Sequence, residues 1–289
     1  MLGFLNIYKP SGITSNKVVQ KIKKKFHIEK IGHMGTLDPL ACGVLPIAVG
    51  KATRLFDYSL EKKKRYIAIF DFGYTTDTLD IEGIKTNECS ILPTLEQIKS
   101  AISKLIGDID QIPPLYSAKV VNGRRAYDLA REGVEFELKP KKITIYDIQI
   151  IEQISEYQYK FDIECSSGTY IRAIARDIAE LCGTYGCMSF LERTQTGVFK
   201  KESAIILDDL LDKDSCEEYL ISPNNAFDNF DTYIVDDKTK IDLLNGKRPK
   251  INAFNKPTFI LNNNELLGIA RINSNELILD TFLYEGKEK

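Results

Sequence analysis

No two of the six cysteines (Cys42, Cys89, Cys165, Cys182, Cys187, Cys216) form a CxxC pair, and the only histidines are His27 and His33. Zinc needs clustered thiolates and imidazoles, so no metal is expected. Scattered thiols in a cytosolic chain serve instead as small buried hydrophobes. No apolar run approaches the roughly 18 residues of a membrane helix. The start, Met1-Leu2-Gly3-Phe4-Leu5-Asn6, lacks the charged head and long apolar middle of a signal peptide. A cytoplasmic location without membrane attachment is expected.

Familiar catalytic signatures are missing too. Gly43 to Thr53 (GVLPIAVGKAT) imitates a phosphate-binding P-loop, but six residues separate its glycines instead of four. Ala52 then follows Lys51 where Ser or Thr would hold magnesium. Asp71-Phe72-Gly73 reads like a kinase DFG, yet no HRD loop or GxGxxG accompanies it. There is no GxSxG elbow, and neither histidine has an evident Ser or Cys partner, which argues against a hydrolase triad.

What is present describes a globular protein. The 289 residues are 43% hydrophobic and 28% charged, enough for one large domain with a small appendage. Net charge is only −2, but residues 1–65 carry 13 Lys and Arg against 4 Asp and Glu. The rest of the chain carries 26 basic against 37 acidic residues. Such polarity lets one face meet a polyanion while the whole stays soluble. The alternative is that Lys23-Lys24-Lys25 and Lys62-Lys63-Lys64 are simply solvated surface.

Hydrophobic periodicity orders the elements. Gly3 to Tyr8 reads as a strand ended by the Lys9-Pro10-Ser11-Gly12 turn. Thr14-Ser15-Asn16 offers an N-cap for a helix with Val18, Val19, Ile22 and Phe26 inward. Residues 31–50 show no regular pattern before 44–49 and read as a long structured loop. Tyr66 to Phe72 reads as a strand buried on both faces. Thr94-Leu95-Glu96-Gln97 is a capping box opening a helix that ends at Gly107. Residues 143–151 and the alternating 157–165 are strands. Ser166-Ser167-Gly168-Thr169 turns into a helix with Ile171, Ile174, Ile178 and Leu181 inward. Residues 206–245 are acidic, with 11 Asp and Glu against 3 Lys, and read as helical edge and connector. Three β-prone segments near 257–261, 265–271 and 276–284 follow, divided by Asn262-Asn263-Asn264 and Asn273-Ser274-Asn275.

The chemically informative stretch runs from Gly32-His33-Met34-Gly35 through Thr36-Leu37-Asp38-Pro39 to Pro46. Its glycines and prolines demand special backbone geometry around one imidazole and one carboxylate. An isolated Asp-Pro is otherwise a turn former.

This stretch closely resembles the TruB family of pseudouridine synthases. The likeness continues through Lys9-Pro10-Ser11-Gly12-Ile13-Thr14-Ser15 and Lys64-Arg65-Tyr66. Pro113-Pro114-Leu115-Tyr116-Ser117-Ala118-Lys119 and Gly123-Arg124-Arg125-Ala126-Tyr127 resemble one further block. Ser167-Gly168-Thr169-Tyr170-Ile171-Arg172 and the segment from Met188 to Gly197 resemble the last two. Ordered motifs thus span about residues 3–200. Met34, Cys42 and Glu192 depart from the residues usual at their positions, Glu192 by removing one basic contact with RNA.

The resemblance implies an α+β fold, with a mixed, largely antiparallel sheet and flanking helices. A catalytic domain is expected over 1–232 and a small β domain resembling a PUA module over 233–289. It implies that Asp38 is the catalytic carboxylate acting at ribose C1′, with Arg172 orienting it. Tyr66 would stack on the flipped uracil and assist at C5. His33 would fill the gap left by the extruded base, Tyr170 and Leu191 would wall the pocket, and Lys9 would meet phosphate or support the loop. The physics agrees with an Asp nucleophile: with an ordinary pKa of about 3.9, it is already ionised at neutral pH. Isomerisation moves a base without adding or losing atoms, so no cofactor is expected.

The expected substrate is a uridine in the T loop of tRNA, at position 55, because loop bases are splayed out at little cost. Neither a membrane nor an obligate protein partner is expected, and the chain is expected to be monomeric. One rival reading is a non-catalytic tRNA-binding folding helper, and another is a nucleoside glycosidase using the same carboxylate. If the basic segment tracks an RNA backbone, affinity falls steeply between low and moderate salt as counterions are displaced. Titration of a T-arm stem–loop at two ionic strengths checks this, and flat affinity would remove the case for the basic face.

Overall fold

The computed structural model describes residues 1–289 except 57, 59–62, 118, 122, 228–229, 252–255 and 287–289. Lys62 of the second lysine run and Ala118 of the PPLYSAK block therefore lie outside the described residues. The chain forms two units, one from Met1–Asp38, Val44–Leu60 and Gly197–Lys289, the other from Pro39–Gly43 and Glu61–Thr196.

The second unit is an antiparallel sheet with strands in the order Gly186–Thr196, Lys64–Phe72, Gln158–Cys165, Lys141–Gln153, Gly107–Gln111. Strand Gln158–Cys165 alternates perfectly, with Tyr159, Phe161, Ile163 and Cys165 buried and the residues between them half-exposed. That is the pattern of a strand with one face on a core. Lys64–Phe72 differs from the expectation of burial on both faces. It alternates as well, because Ile67 and Ile69 remain half-exposed, and only its last residues are enclosed on both sides.

Helices Leu95–Leu105 and Ile171–Leu181 belong to the same unit. The first opens on a complete capping box, in which Gln97 N donates to Thr94 Oγ1 and Thr94 N donates to Gln97 Oε1. The second buries Ile171, Ile174, Ala175 and Ile178. Leu181, expected inward, is 44% exposed, since it ends the helix and Cys182 takes the buried place instead.

In the first unit Gly3–Lys9 lies between Ile205–Ile206, which it pairs in parallel, and Cys42–Val49. Helix Ser15–Phe26 starts where Thr14 accepts from Lys17 N, and it closes on His27 in the left-handed region. The expected loop over 31–50 is partly sheet, because Ile31–His33 pairs antiparallel with Val49, Ala48 and Ile47. Three residues are too few for periodicity to reveal a strand.

The same unit holds a four-stranded sheet ordered Asp231–Ile234, Thr258–Asn262, Glu265–Asn273, Glu276–Phe282. Its two tight turns use Asn263-Asn264 and Ser274-Asn275, all with positive φ, as hairpin geometry requires. The short parallel strand Asp231–Ile234 lies in the stretch read as connector. Mixed sheets and separate helices make the architecture α+β. Among the described residues no helix is long and apolar enough to cross a membrane.

One aromatic core joins the chain's two ends within this unit. Phe227 meets Phe4 at 5.7 Å, Phe230 at 5.7 Å and Phe259 at 6.1 Å between ring centroids. Leu283, Ile269, Val44 and Met34 are buried in the same cluster. Around it, Arg54 Nη1 donates to Phe282 O (2.9 Å), and Lys51 Nζ donates to Tyr284 O. Phe4→Ala is expected to cost about 3–5 kcal/mol. Urea unfolding measures that loss, and hydrogen exchange should quicken in Thr258–Asn262 as well as in Gly3–Lys9.

Candidate active site

Asp38 follows a residue whose backbone is gripped from both sides. Ser15 Oγ donates to Leu37 O (2.9 Å) and accepts from Leu37 N (2.8 Å), and Ser15 is 2% exposed. A buried hydroxyl serving as both donor and acceptor leaves that peptide one orientation. Upstream, Met34 N donates to Pro46 O (2.8 Å), and Gly35 takes φ +118°, open to glycine alone without strain.

Lys9 is fully buried, and its ammonium donates to Pro10 O (2.9 Å) and Ile13 O (2.7 Å). A buried cation needs such acceptors, so Lys9 ties together the turn leading into the Ser15 helix. His33 ends strand Ile31–His33, opposite Ile47. Lys9, His33 and Asp38 thus share one unit, while Tyr66, Tyr170, Arg172 and Leu191 share the other.

Tyr66 is 6% exposed and stands between Ile163 and Arg193 on the neighbouring strands. Leu191 is buried opposite Ala68. Tyr170 is the residue before helix Ile171–Leu181, and its two backbone groups are read by one side chain. Tyr170 N donates to Gln111 Oε1 (2.8 Å), and Gln111 Nε2 donates to Tyr170 O (3.1 Å). The start of the helix, and with it Arg172, is thereby located.

Arg172 is 6% exposed. Its Nη1 donates to Thr78 O (2.8 Å) and lies 3.3 Å from Asp80 Oδ2, and its Nη2 donates to Tyr116 O (3.2 Å). Asp80, 4% exposed, also accepts from Thr78 Oγ1 (2.7 Å) and Glu82 N (3.1 Å). The 76–84 turn is stiff for further reasons. Leu79 adopts φ +63°, and Ile81 N and Met188 N bond across to Met188 O and Leu79 O. A β-carbon on Gly83 would sit 2.3 Å from Thr78 Oγ1 and 2.4 Å from Asp77 Oδ1.

Sequence reading found Arg172 but not Asp80 or Gln111. Asp80 stands in an acidic turn, Thr-Asp-Thr-Leu-Asp-Ile-Glu-Gly, that looks like solvated surface. Gln111 has no cue beyond the Ile112-Pro113-Pro114 that follows it. Glu192, read as a lost surface contact, is 8% exposed and stands opposite Cys42 inside the sheet. Next to it, Gly43 at φ +105° would place a β-carbon 2.2 Å from Arg193 O, so glycine alone lets these strands meet.

Solved structures with this architecture define the class. A chain from an H/ACA RNP bound to a substrate RNA containing 2′-deoxyuridine matches with TM-score 0.72 at 24% identity, over 99% of this chain and 86% of that one. A chain of a Cbf5-Nop10-Gar1 complex matches with TM-score 0.69 at 27% identity, over 96% and 79%. The TruB family pseudouridylate synthase (N terminal domain) profile matches residues 23–171, and the tRNA pseudouridylate synthase B C-terminal domain profile matches 172–223. The tRNA pseudouridine synthase B of Clostridium novyi (strain NT) is 42% identical over 98% of this chain and all of its own length. That of Alkaliphilus oremlandii (strain OhILAs) is 41% identical over 86% of this chain and 83% of its own. The chain belongs to the TruB family of pseudouridylate synthases, which are isomerases.

Removing one partner of a buried ion pair leaves an uncompensated charge. Asp80→Ala is therefore expected to cost about 3–5 kcal/mol of stability, read from urea unfolding, whereas a surface acid such as Glu96 should change it by under about 0.5 kcal/mol.

Proposed function

We propose that this chain isomerises uridine to pseudouridine at position 55, in the T loop of tRNA, with Asp38 acting at ribose C1′. The observation that carries the reading is the grip of Ser15 on Leu37, which presents the next residue's carboxylate on a backbone with no freedom to turn. A nucleophile held this way loses little entropy on reaching its transition state. The relatives named tRNA pseudouridine synthase B, similar along nearly the whole chain, support the choice of RNA.

The chemistry follows in balanced steps. The glycosidic bond from C1′ to N1 breaks, the freed uracil turns, and C5 joins C1′. The C5 proton leaves, N1 gains one, and the mass is unchanged. Asp38 supplies the negative charge that C1′ needs as the bond breaks. Arg172 orients that charge. Tyr66, fixed in its strand, stacks on the everted base and assists at C5, with Tyr170 and Leu191 beside it. His33 occupies the space the base vacates, which offsets part of the few kcal/mol of unstacking. Lys9 acts by holding the Pro10–Ile13 turn.

Residues 1–232 form the catalytic portion, and 233–289 a PUA-like RNA-binding portion whose first strand begins at Asp231. The protein works as a cytoplasmic monomer on the T arm. Holding tRNA during folding is compatible with the same surface but gives no role to an ionised Asp38.

Tritium release from C5-labelled uridine in tRNA tests the reading. Wild type should release it, and Asp38→Asn should lose at least about 1000-fold in rate. Release that persists in the variant refutes the assigned nucleophile. A product of unchanged mass separates isomerisation from glycosidase action, which would leave free uracil and an abasic site.

A further inference from the structure

A group of cations at the beginning of strand Lys64–Phe72 has no part in the chemistry above. Lys64 stands opposite Cys165 on one neighbouring strand and Thr196 on the other. Tyr66, two residues on, stands opposite Ile163 and Arg193. Residues in register, and residues two apart, project from the same face of a sheet. Lys64, Tyr66 and Arg193 therefore share one face.

Lys141 joins them from the far side of the Ser166–Thr169 turn. Its Nζ lies 2.0 Å from where a β-carbon of Gly168 would stand, so only glycine at φ +83° lets the ammonium rest there. Burial first, then Arg193 and Lys141, push the Lys64 ammonium down to about 7.

The nearby acids are committed elsewhere. Glu164 pairs with Lys63 at 3.0 Å and Asp162 with Arg65 at 2.5 Å. Glu192 points to the opposite face by strand alternation. The first turn of helix Ile171–Leu181, the positive end of its dipole, carries no acid. Among the described residues neither Lys64 nor Lys141 has a carboxylate within ion-pair distance. Like charges gathered without a counter-charge are unfavourable in the free protein and await an anion.

We propose that Lys64, Lys141 and Arg193, together with the Ser166–Thr169 turn, form a phosphate subsite that takes one backbone phosphodiester of the substrate RNA. This rests on the reading of the substrate as RNA and adds which of its groups this face binds. Residues two apart along a strand are about 6.6 Å apart. A single nucleotide bridges that span with its base on Tyr66 and a phosphate on Lys64.

The test uses the full chain and a T-arm stem–loop in which neutral methylphosphonates replace single phosphates around the target uridine. One replacement is expected to weaken wild-type binding about tenfold. The same replacement should cost Lys64→Met little, and its plot of log affinity against log salt should flatten by about 0.7–0.9. Lys141→Met should respond in the same way at the same linkage. Lys64→Arg keeps the charge and should keep both effects.

Equal losses for wild type and Lys64→Met at every linkage would overturn the subsite. Folding supplies a second readout: Lys64→Met should unfold at the same urea concentration as wild type or higher, because a repelled charge is gone. A clear fall in that midpoint would make Lys64 a structural residue and also overturn the proposal. Absence of pseudouridine formation by wild type on the unmodified stem–loop refutes the substrate reading and the subsite together. Turnover without a Lys64-dependent phosphate refutes the subsite alone.

Discussion

A guanidinium removed from water must meet acceptors wherever its hydrogens point, and Arg172 organises its unit by that requirement. Its acceptors, Thr78 O, Tyr116 O and Asp80, come from segments distant in sequence. Each must be positioned by something else. The 76–84 turn is held to strand Gly186–Thr196 through Met188, and the helix carrying Arg172 is started by Gln111 at the end of another strand. A loop, a helix and two strands are thereby fixed around one cation.

The loop bearing Asp38 is held by different means. No charge is involved in the contact between Ser15 and Leu37, which is a neutral pair of hydrogen bonds in a dry place. Neutral bonds of this kind do not vary with salt or with pH near neutrality, whereas charge on a surface loop would. The nearby Lys9 uses its charge inwardly, on the Pro10 and Ile13 carbonyls. Backbone position at the reactive acid is thus insulated from the ionic environment that the polyanionic substrate brings.

Much of this was legible beforehand, for identifiable reasons. Strand Gln158–Cys165 and the Thr94 capping box announce themselves because each pattern is local and periodic. Asn263-Asn264 and Ser274-Asn275 mark their turns because few other residues tolerate positive φ. Asp38, Tyr66 and Arg172 stood out through ordered motifs. What could not be read depends on partners far away in sequence. Asp80 looks like a solvated acid until Arg172 is beside it, and Gln111 looks ordinary until Tyr170 is. Glu192 was taken for surface because nothing nearby in sequence indicates its burial. Leu181 fits a helical stripe, yet the helix ends before its side chain is covered.

The aromatic core has a consequence for the order in which the protein is made. Residues 61–196 form most of one unit as a single continuous stretch, and that stretch has all its strand partners once the ribosome has passed Thr196. The other unit needs Phe4, among the earliest residues made, to meet Phe259 and Leu283, among the last. Domains generally consolidate as their residues emerge. Here the amino-terminal strand must wait, uncovered, while more than two hundred residues are added, and the later-encoded sheet consolidates first.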